Sequence, residues 1–188
     1  MSLIVYKMMI PIVKPLFYLL YRPKVYGKEN IPKKGPFLLV SNHKNNMDSP
    51  AIYSTNRRVI HFMAKDELLK GKLGWAFKGM GLIPVNRREK DHNAIPMAIE
   101  YLKKGEAVVI FPEGTFNRTK DVVAPFKIGA VKIAHDAKVP IIPVALLGDY
   151  KLPKRFVMKY GKPYYVKSDD LVKENEKLMK IISKMLTE

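Results

Sequence analysis

Five short apolar runs, separated by stretches with helical character, constrain this chain more than any other feature. The runs are Phe37–Ser41, opened by Gly35-Pro36, then Val59–Met63, Leu82–Val85, Ala107–Phe111 and Ile141–Leu147. Their apolar residues are consecutive rather than alternate, the pattern of strands covered on both faces. Candidate helices lie between them at Met47–Thr55, Asp66–Gly79, Asn93–Lys104 and Ile128–Ala137, and a closing helix is expected over Leu171–Leu186. Strand alternating with helix predicts an α/β fold: a single domain with a largely parallel or mixed central sheet flanked by helices. The prolines of Val139-Pro140-Ile141-Ile142-Pro143-Val144 restrict that last run to an edge or entrance position. In such a sheet, chemistry gathers at the loops leaving the carboxyl ends of the strands.

At 188 residues the chain has room for one core, and 47% hydrophobic residues supply enough apolar surface to build it. The absence of cysteine excludes disulfides, thiol nucleophiles, iron–sulfur clusters and thiolate zinc sites. A net charge of +17 favours an anionic partner, whether nucleic acid, phosphorylated metabolite, anionic lipid or acidic carrier protein.

Residues 1–22 stand apart from the rest. Leu3–Leu20 is mostly apolar but carries Lys7 and Lys14, and Pro11 and Pro15 sit where a straight helix needs backbone donors. Spanning a bilayer takes roughly 20 apolar residues, so this stretch fits an amphipathic, membrane-associating helix lying in the interface better than a crossing one. Residues 1–36 hold seven basic residues against the single acid Glu29, as adsorption to anionic headgroups requires. The domain expectation is therefore an interfacial helical segment over 1–22 and a main domain over 23–188. Lys151–Lys167 is a second basic stretch, with six basic residues, no acid, and Phe156, Tyr160, Tyr164 and Tyr165 interleaved. It is either a docking surface for an acidic partner or a surface hairpin.

Four blocks can carry chemistry. Asn42-His43-Lys44-Asn45-Asn46-Met47-Asp48 follows the first strand directly and places a histidine at its exit, with a carboxylate five residues on at the start of a helix. A loop that folds back lets Asp48 hold one imidazole nitrogen and leaves the other to take a proton from a hydroxyl. No serine or cysteine at an elbow-type turn accompanies the pair, so the nucleophile is expected to be the substrate's own alcohol. Phe111-Pro112-Glu113-Gly114-Thr115 is a turn straight after a strand, and Gly81-Leu82-Ile83-Pro84-Val85-Asn86-Arg87-Arg88 ends a strand in two arginines able to grip a phosphate. The fourth block is the Pro140–Val144 run.

In chain order the four blocks resemble the glycerolipid acyltransferase family that includes bacterial 1-acylglycerol-3-phosphate acyltransferases, over residues 35–147. His43 and Asp48 match the family's His-x4-Asp pair, Gly81 and Arg87 its second block, Glu113 and Gly114 its third, and Pro140–Val144 its fourth. Phe126-Lys127-Ile128-Gly129-Ala130 matches a stretch downstream of the third. Asn86 stands where the family often has an acid, and Phe116 where it often has an arginine or serine.

The resemblance implies transfer of a fatty acyl group from an acyl thioester to the 2-hydroxyl of lysophosphatidic acid, giving phosphatidic acid. It assigns His43 as general base and Asp48 as its orienter. Arg87, Glu113 and Gly114 are expected to bind the acceptor's glycerol phosphate together with Gly81, Thr115 and Lys127, and Arg88 or Lys78 to assist. No metal or cofactor is expected. The co-substrate is acyl carrier protein or acyl-coenzyme A, the surface partner an anionic membrane, and the location the cytoplasmic face of the cell membrane, peripheral or monotopic. His61, His92 and His135 are expected to be structural or surface residues. Two alternatives stay open: the same chemistry on glycerol 3-phosphate or another lysophospholipid, and a non-catalytic module binding anionic lipid or nucleic acid. Recognisable nucleic-acid-binding signatures are missing, so no nucleic acid is expected.

Overall fold

The computed structural model describes residues 4–87, 91–150 and 156–188. In chain order its elements are α1 (Ile4–Tyr21), β1 (Lys24–Tyr26), β2 (Phe37–Ser41), α2 (Asp48–Thr55), β3 (Ile60–Lys65), α3 (Glu67–Lys70), α4 (Gly74–Gly79) and β4 (Ile83–Val85). They continue through α5 (Ala94–Lys103), β5 (Ala107–Ile110), α6 (Gly129–Ala137), β6 (Ile141–Leu147), β7 (Val157–Tyr160) and α7 (Leu171–Thr187).

The seven strands form one sheet in the order β1-β7-β6-β2-β5-β3-β4. From β6 to β4 all neighbours are parallel, whereas β7 runs antiparallel to β6 and pairs in parallel with β1. The sheet is therefore mixed, with a parallel block of five strands and a reversed margin. β2 is central and buried along its whole length. Its side chains alternate between two cores: Phe37 and Leu39 face α1 and α2, while Leu38 and Val40 face α5, α6 and α7. Because β2 and β5 leave the sheet in the same direction, their exit loops meet at one edge.

Two expectations need correction. The run Ile141–Leu147 is not at the margin: β6 lies between β7 and β2. Pro143 is tolerated there because its backbone faces the bend past the end of β7, where its carbonyl accepts the Gly161 N–H at 2.8 Å, and the pairing of Val40 with Pro143 needs no donor from the ring nitrogen. A side chain at Gly161 would strike the Pro143 ring, its Cβ falling 2.7 Å from Cγ. The helix expected over Asp66–Gly79 is in fact two, α3 and α4, broken at Gly71.

α1 is continuous through Pro11 and Pro15, both of which lie on its outward side. The inner side, through Tyr6 and Phe17, packs into the core: Tyr6 donates to the Arg58 carbonyl at 3.0 Å and accepts the Tyr53 hydroxyl on its own carbonyl at 3.0 Å. The outer side leaves Met8, Ile12, Leu16 and Leu19 exposed. Among the described residues no helix is long and apolar enough to cross a membrane. Of the basic stretch Lys151–Lys167, residues 151–155 lie outside the described ones, as does Arg88. In the part that is described, β7 takes residues 157–160, and Phe156, Met158 and Tyr160 are core residues.

Candidate active site

The segment carrying His43 is locked to the sheet one residue earlier. The Asn42 side chain pairs with the backbone of Leu146 in β6, donating to its carbonyl at 3.1 Å and accepting its N–H at 2.8 Å. Asp48, the first residue of α2, is fully buried. Its Oδ2 accepts the backbone N–H groups of Lys44 at 2.7 Å and Asn45 at 2.8 Å, and lies 2.8 Å from His43 Nδ1. Oδ1 accepts the Tyr150 hydroxyl at 2.6 Å. A carboxylate offers only lone pairs, so this network assigns the His43 proton to Nδ1 and leaves Nε2 as an acceptor. Burial drives the Tyr150 hydroxyl far above its ordinary pKa, and the Asp48 charge adds to the rise, so Tyr150 remains a donor.

Two rings fix the imidazole plane. Phe111 stacks on it with centroids 3.9 Å apart and planes 15° apart, and Phe116 meets it edge-on at 4.5 Å. The His43 side chain is 12% exposed, and the residue lines a cleft of about 400 Å³ together with Asn42, Lys44, Asn117, Val122 and Leu147 among others. Burial lowers the Lys44 pKa, an effect opposed by the charges of Asp48 and Asp149.

The turn after β5 supports the same histidine. Glu113 is buried, and its Oε1 accepts the backbone N–H of His43 at 2.6 Å while Oε2 accepts that of Ala124 at 2.8 Å. The His43 carbonyl in turn accepts the N–H of Asn117 at 2.7 Å. Burial raises the Glu113 pKa above its ordinary value, with the Ala124 and His43 amides pulling the other way. Gly114 closes the turn at φ +72°, and Lys127 lies across it: a Cβ there would stand 2.9 Å from both Cε and Nζ of Lys127. Thr115 is exposed on the turn.

Thus His43, Asp48, Glu113, Gly114, Thr115 and Lys127 come together at the shared exit edge of β2 and β5. Arg87 lies on the same edge but at the exit of β4, three strand spacings from β2, roughly 14 Å at the usual interstrand distance. It is exposed, and burial of part of its guanidinium lowers its pKa against the opposing charge of Glu67. Gly81 is buried at φ +72°, and its carbonyl lies 2.9 Å from Nδ1 of His61, whose Nε2 lies 3.0 Å from Glu106. Any side chain there would overlap the His61 ring, so Gly81 sets the approach to β4. Tyr150 and Asn42 were not singled out from the sequence. Their signal was positional: Tyr150 follows the exit of β6, the strand beside β2.

The family model described as Acyltransferase matches residues 22–147, two-thirds of the chain, and the match contains His43, Asp48, Arg87 and Glu113. The chain belongs to the acyltransferase family. A 1-acyl-sn-glycerol-3-phosphate acyltransferase of Bacillus subtilis (strain 168) is 39% identical over 127 residues, covering 66% of this chain and 62% of that protein. The chloroplastic 1-acyl-sn-glycerol-3-phosphate acyltransferase BAT2 of Brassica napus is 33% identical over 139 residues, covering 72% of this chain and 40% of that protein. The matched region is thus less than two-thirds of either relative's length. The crystal structure of the 1-acyl-sn-glycerophosphate (LPA) acyltransferase PlsC from Thermotoga maritima superposes with a TM-score of 0.79 at 28% identity, covering 95% of this chain and 77% of that one. The acyltransferase match ends at Leu147, the last residue of β6, so Tyr150 lies just beyond it.

Proposed function

We propose that the protein transfers a fatty acyl group from an acyl thioester to the 2-hydroxyl of lysophosphatidic acid, forming phosphatidic acid. The observation that carries this reading is the His43 imidazole, held through Nδ1 by a buried carboxylate in a residue that lines a cleft. Nε2 takes the hydroxyl proton as the alcohol oxygen attacks the thioester carbonyl. The tetrahedral intermediate then expels the thiolate, the C–S bond breaks, and the imidazolium returns its proton to the sulfur, leaving ester and free thiol. General-base catalysis of this kind contributes ~10²–10⁴ in rate. Asp48 holds the productive tautomer and offsets the imidazolium charge, and Tyr150 holds Asp48. The route needs no metal or cofactor.

The acceptor's phosphate is assigned to Arg87, with Lys127 and the Gly114-Thr115 turn nearer the histidine. Glu113 has both oxygens engaged with backbone amides, so its part is to position His43. Gly81 acts through the path of β4. Acyl carrier protein or acyl-coenzyme A supplies the thioester. The exposed apolar side of α1 rests in an anionic bilayer at the cytoplasmic face, as a peripheral or monotopic contact, and gives the lyso-lipid a route that keeps its chain out of water.

The test is to incubate purified protein with lysophosphatidic acid and either donor, and to follow phosphatidic acid by mass spectrometry. Product with one donor or both is expected. No product from any donor, with vesicle binding retained, would leave a lipid-binding module instead.

A further inference from the structure

A second exposed apolar surface lies on helices other than α1. α3 and α4 form a short helical pair after β3, and their tips expose Leu68, Leu73 and Trp75 at 43%, 60% and 69%. Among the described residues nothing covers these large aliphatic groups and this indole. The same segment carries exposed Lys65, Lys70, Lys72 and Lys78 against Asp66 and Glu67, with Lys70 paired to Asp66 at 2.6 Å. An apolar tip in a lysine-rich segment, on a chain of charge +17, fits an anionic bilayer, where an indole settles at headgroup depth and lysine stems reach back to the phosphates.

The placement of this pair agrees. Val5 of α1 sits against Gly79 of α4, where an added Cβ would lie 2.6 Å from a Val5 methyl, so the two apolar surfaces belong to adjoining helices. The residue opening α3, Asp66, donates its N–H to the Val85 carbonyl at 3.2 Å, and the Glu67 charge acts on Arg87. The tip is therefore tied to the strand end that carries Arg87.

We propose that the α3–α4 tip, through Trp75, Leu73 and Leu68, is a second membrane anchor that inserts into the headgroup layer of an anionic bilayer and holds Arg87 at the depth of lipid phosphates. The occupant is the one proposed above for α1, and the experiment reads the two surfaces separately. Trp75 is the only tryptophan of the chain, so its fluorescence reports this tip alone.

The full-length protein is mixed with phosphatidylglycerol–phosphatidylcholine vesicles, and with the same vesicles bearing brominated acyl chains. The expected result is a shift of Trp75 emission to shorter wavelength and quenching by the brominated lipid. Leu73→Ser, which keeps the probe, is expected to weaken vesicle partition by roughly tenfold, the loss of one large side chain from the interface. Protein that sediments with vesicles while Trp75 emission neither shifts nor quenches would overturn the proposal and leave α1 as the anchor. Emission already shifted in buffer, dependent on protein concentration and indifferent to vesicles, would overturn it in favour of a second copy of the chain. Quenching that persists in an Ile12→Glu/Leu16→Glu protein would support the tip while removing α1 from the membrane.

Discussion

Replacing Glu113 by Gln separates a residue that positions the base from one that touches the acceptor. The carboxylate accepts two backbone N–H groups, from His43 at 2.6 Å and from Ala124 at 2.8 Å. Gln keeps the shape but has one acceptor oxygen, so whichever way its amide turns, one of those N–H groups faces an NH₂. Losing a charge-assisted hydrogen bond and leaving a buried donor unmatched costs about 2–4 kcal/mol. Urea denaturation at neutral pH is expected to show a loss in that range. The freed His43 backbone loosens the ring relative to the cleft, and a displacement of about 1 Å lowers kcat by roughly 10²-fold with the acceptor KM unchanged.

The pH dependence of stability reports the opposing effect, the cost of burying the charge. Burial raises the folded-state pKa of Glu113 above its unfolded value, so between those two values the folded protein binds the proton more tightly. This group's contribution to stability is therefore greatest below the unfolded value and declines as pH rises through the folded one. Gln does not titrate, so the stability gap between wild type and variant narrows over that window. An acceptor KM raised several-fold with kcat and stability intact would refute the reasoning and put Glu113 in contact with substrate.

Other substitutions test other parts of the account. Tyr150→Phe removes one of the donors on Asp48 and is expected to cost about 1.5–3 kcal/mol in thermal or urea unfolding, with a smaller loss of kcat than Asp48→Asn, because Oδ2 still holds Nδ1. Arg87→Ala is expected to raise the acceptor KM with little change in kcat, and an unaltered KM removes it from the phosphate site. Ile12→Glu with Leu16→Glu on the outer side of α1 is expected to weaken vesicle sedimentation without lowering Tm. Deleting residues 1–22 is a poorer test because it strips Tyr6 and Phe17 from the core. Asp91 accepts the N–H groups of Asn86, Asn93 and Ala94, which together hold its pKa below the usual value against the opposing effect of burial. Its support for the start of α5 is present above the unfolded pKa and is lost as pH falls through the folded one. Asp91→Ala removes about 1 kcal/mol at neutral pH.

The five strands of the parallel block were legible because burial on both faces writes a continuous apolar run, as in Phe37–Ser41, which is β2 residue for residue. The reversed margin was not. β1 is three residues with an exposed, intermediate, exposed pattern, and β7 lies in a basic stretch whose inward side chains are spaced by lysine and valine. Their pairing joins Lys24 to Val157, a separation that no local pattern encodes. The α3–α4 break depended on Gly71 ending one helix where apolar periodicity continued. Within the site, His43, Asp48 and the Glu113 turn sit beside strands in sequence and so could be placed at their exits. Tyr150, about a hundred residues from Asp48, reaches it only because β6 lies next to β2. Arg87 was legible as a residue leaving a strand, but its distance from His43 depends on strand order, which places β5 and β3 between them.

The most direct measurement is phosphatidic acid formation by His43→Ala under single-turnover conditions, with vesicle binding and unfolding followed on the same preparation. A folded, vesicle-bound variant is expected to lose ~10²–10⁴ of the rate, the share a positioned base supplies. A variant that turns over within a few-fold of wild type would contradict the claim that this imidazole removes the lipid hydroxyl's proton.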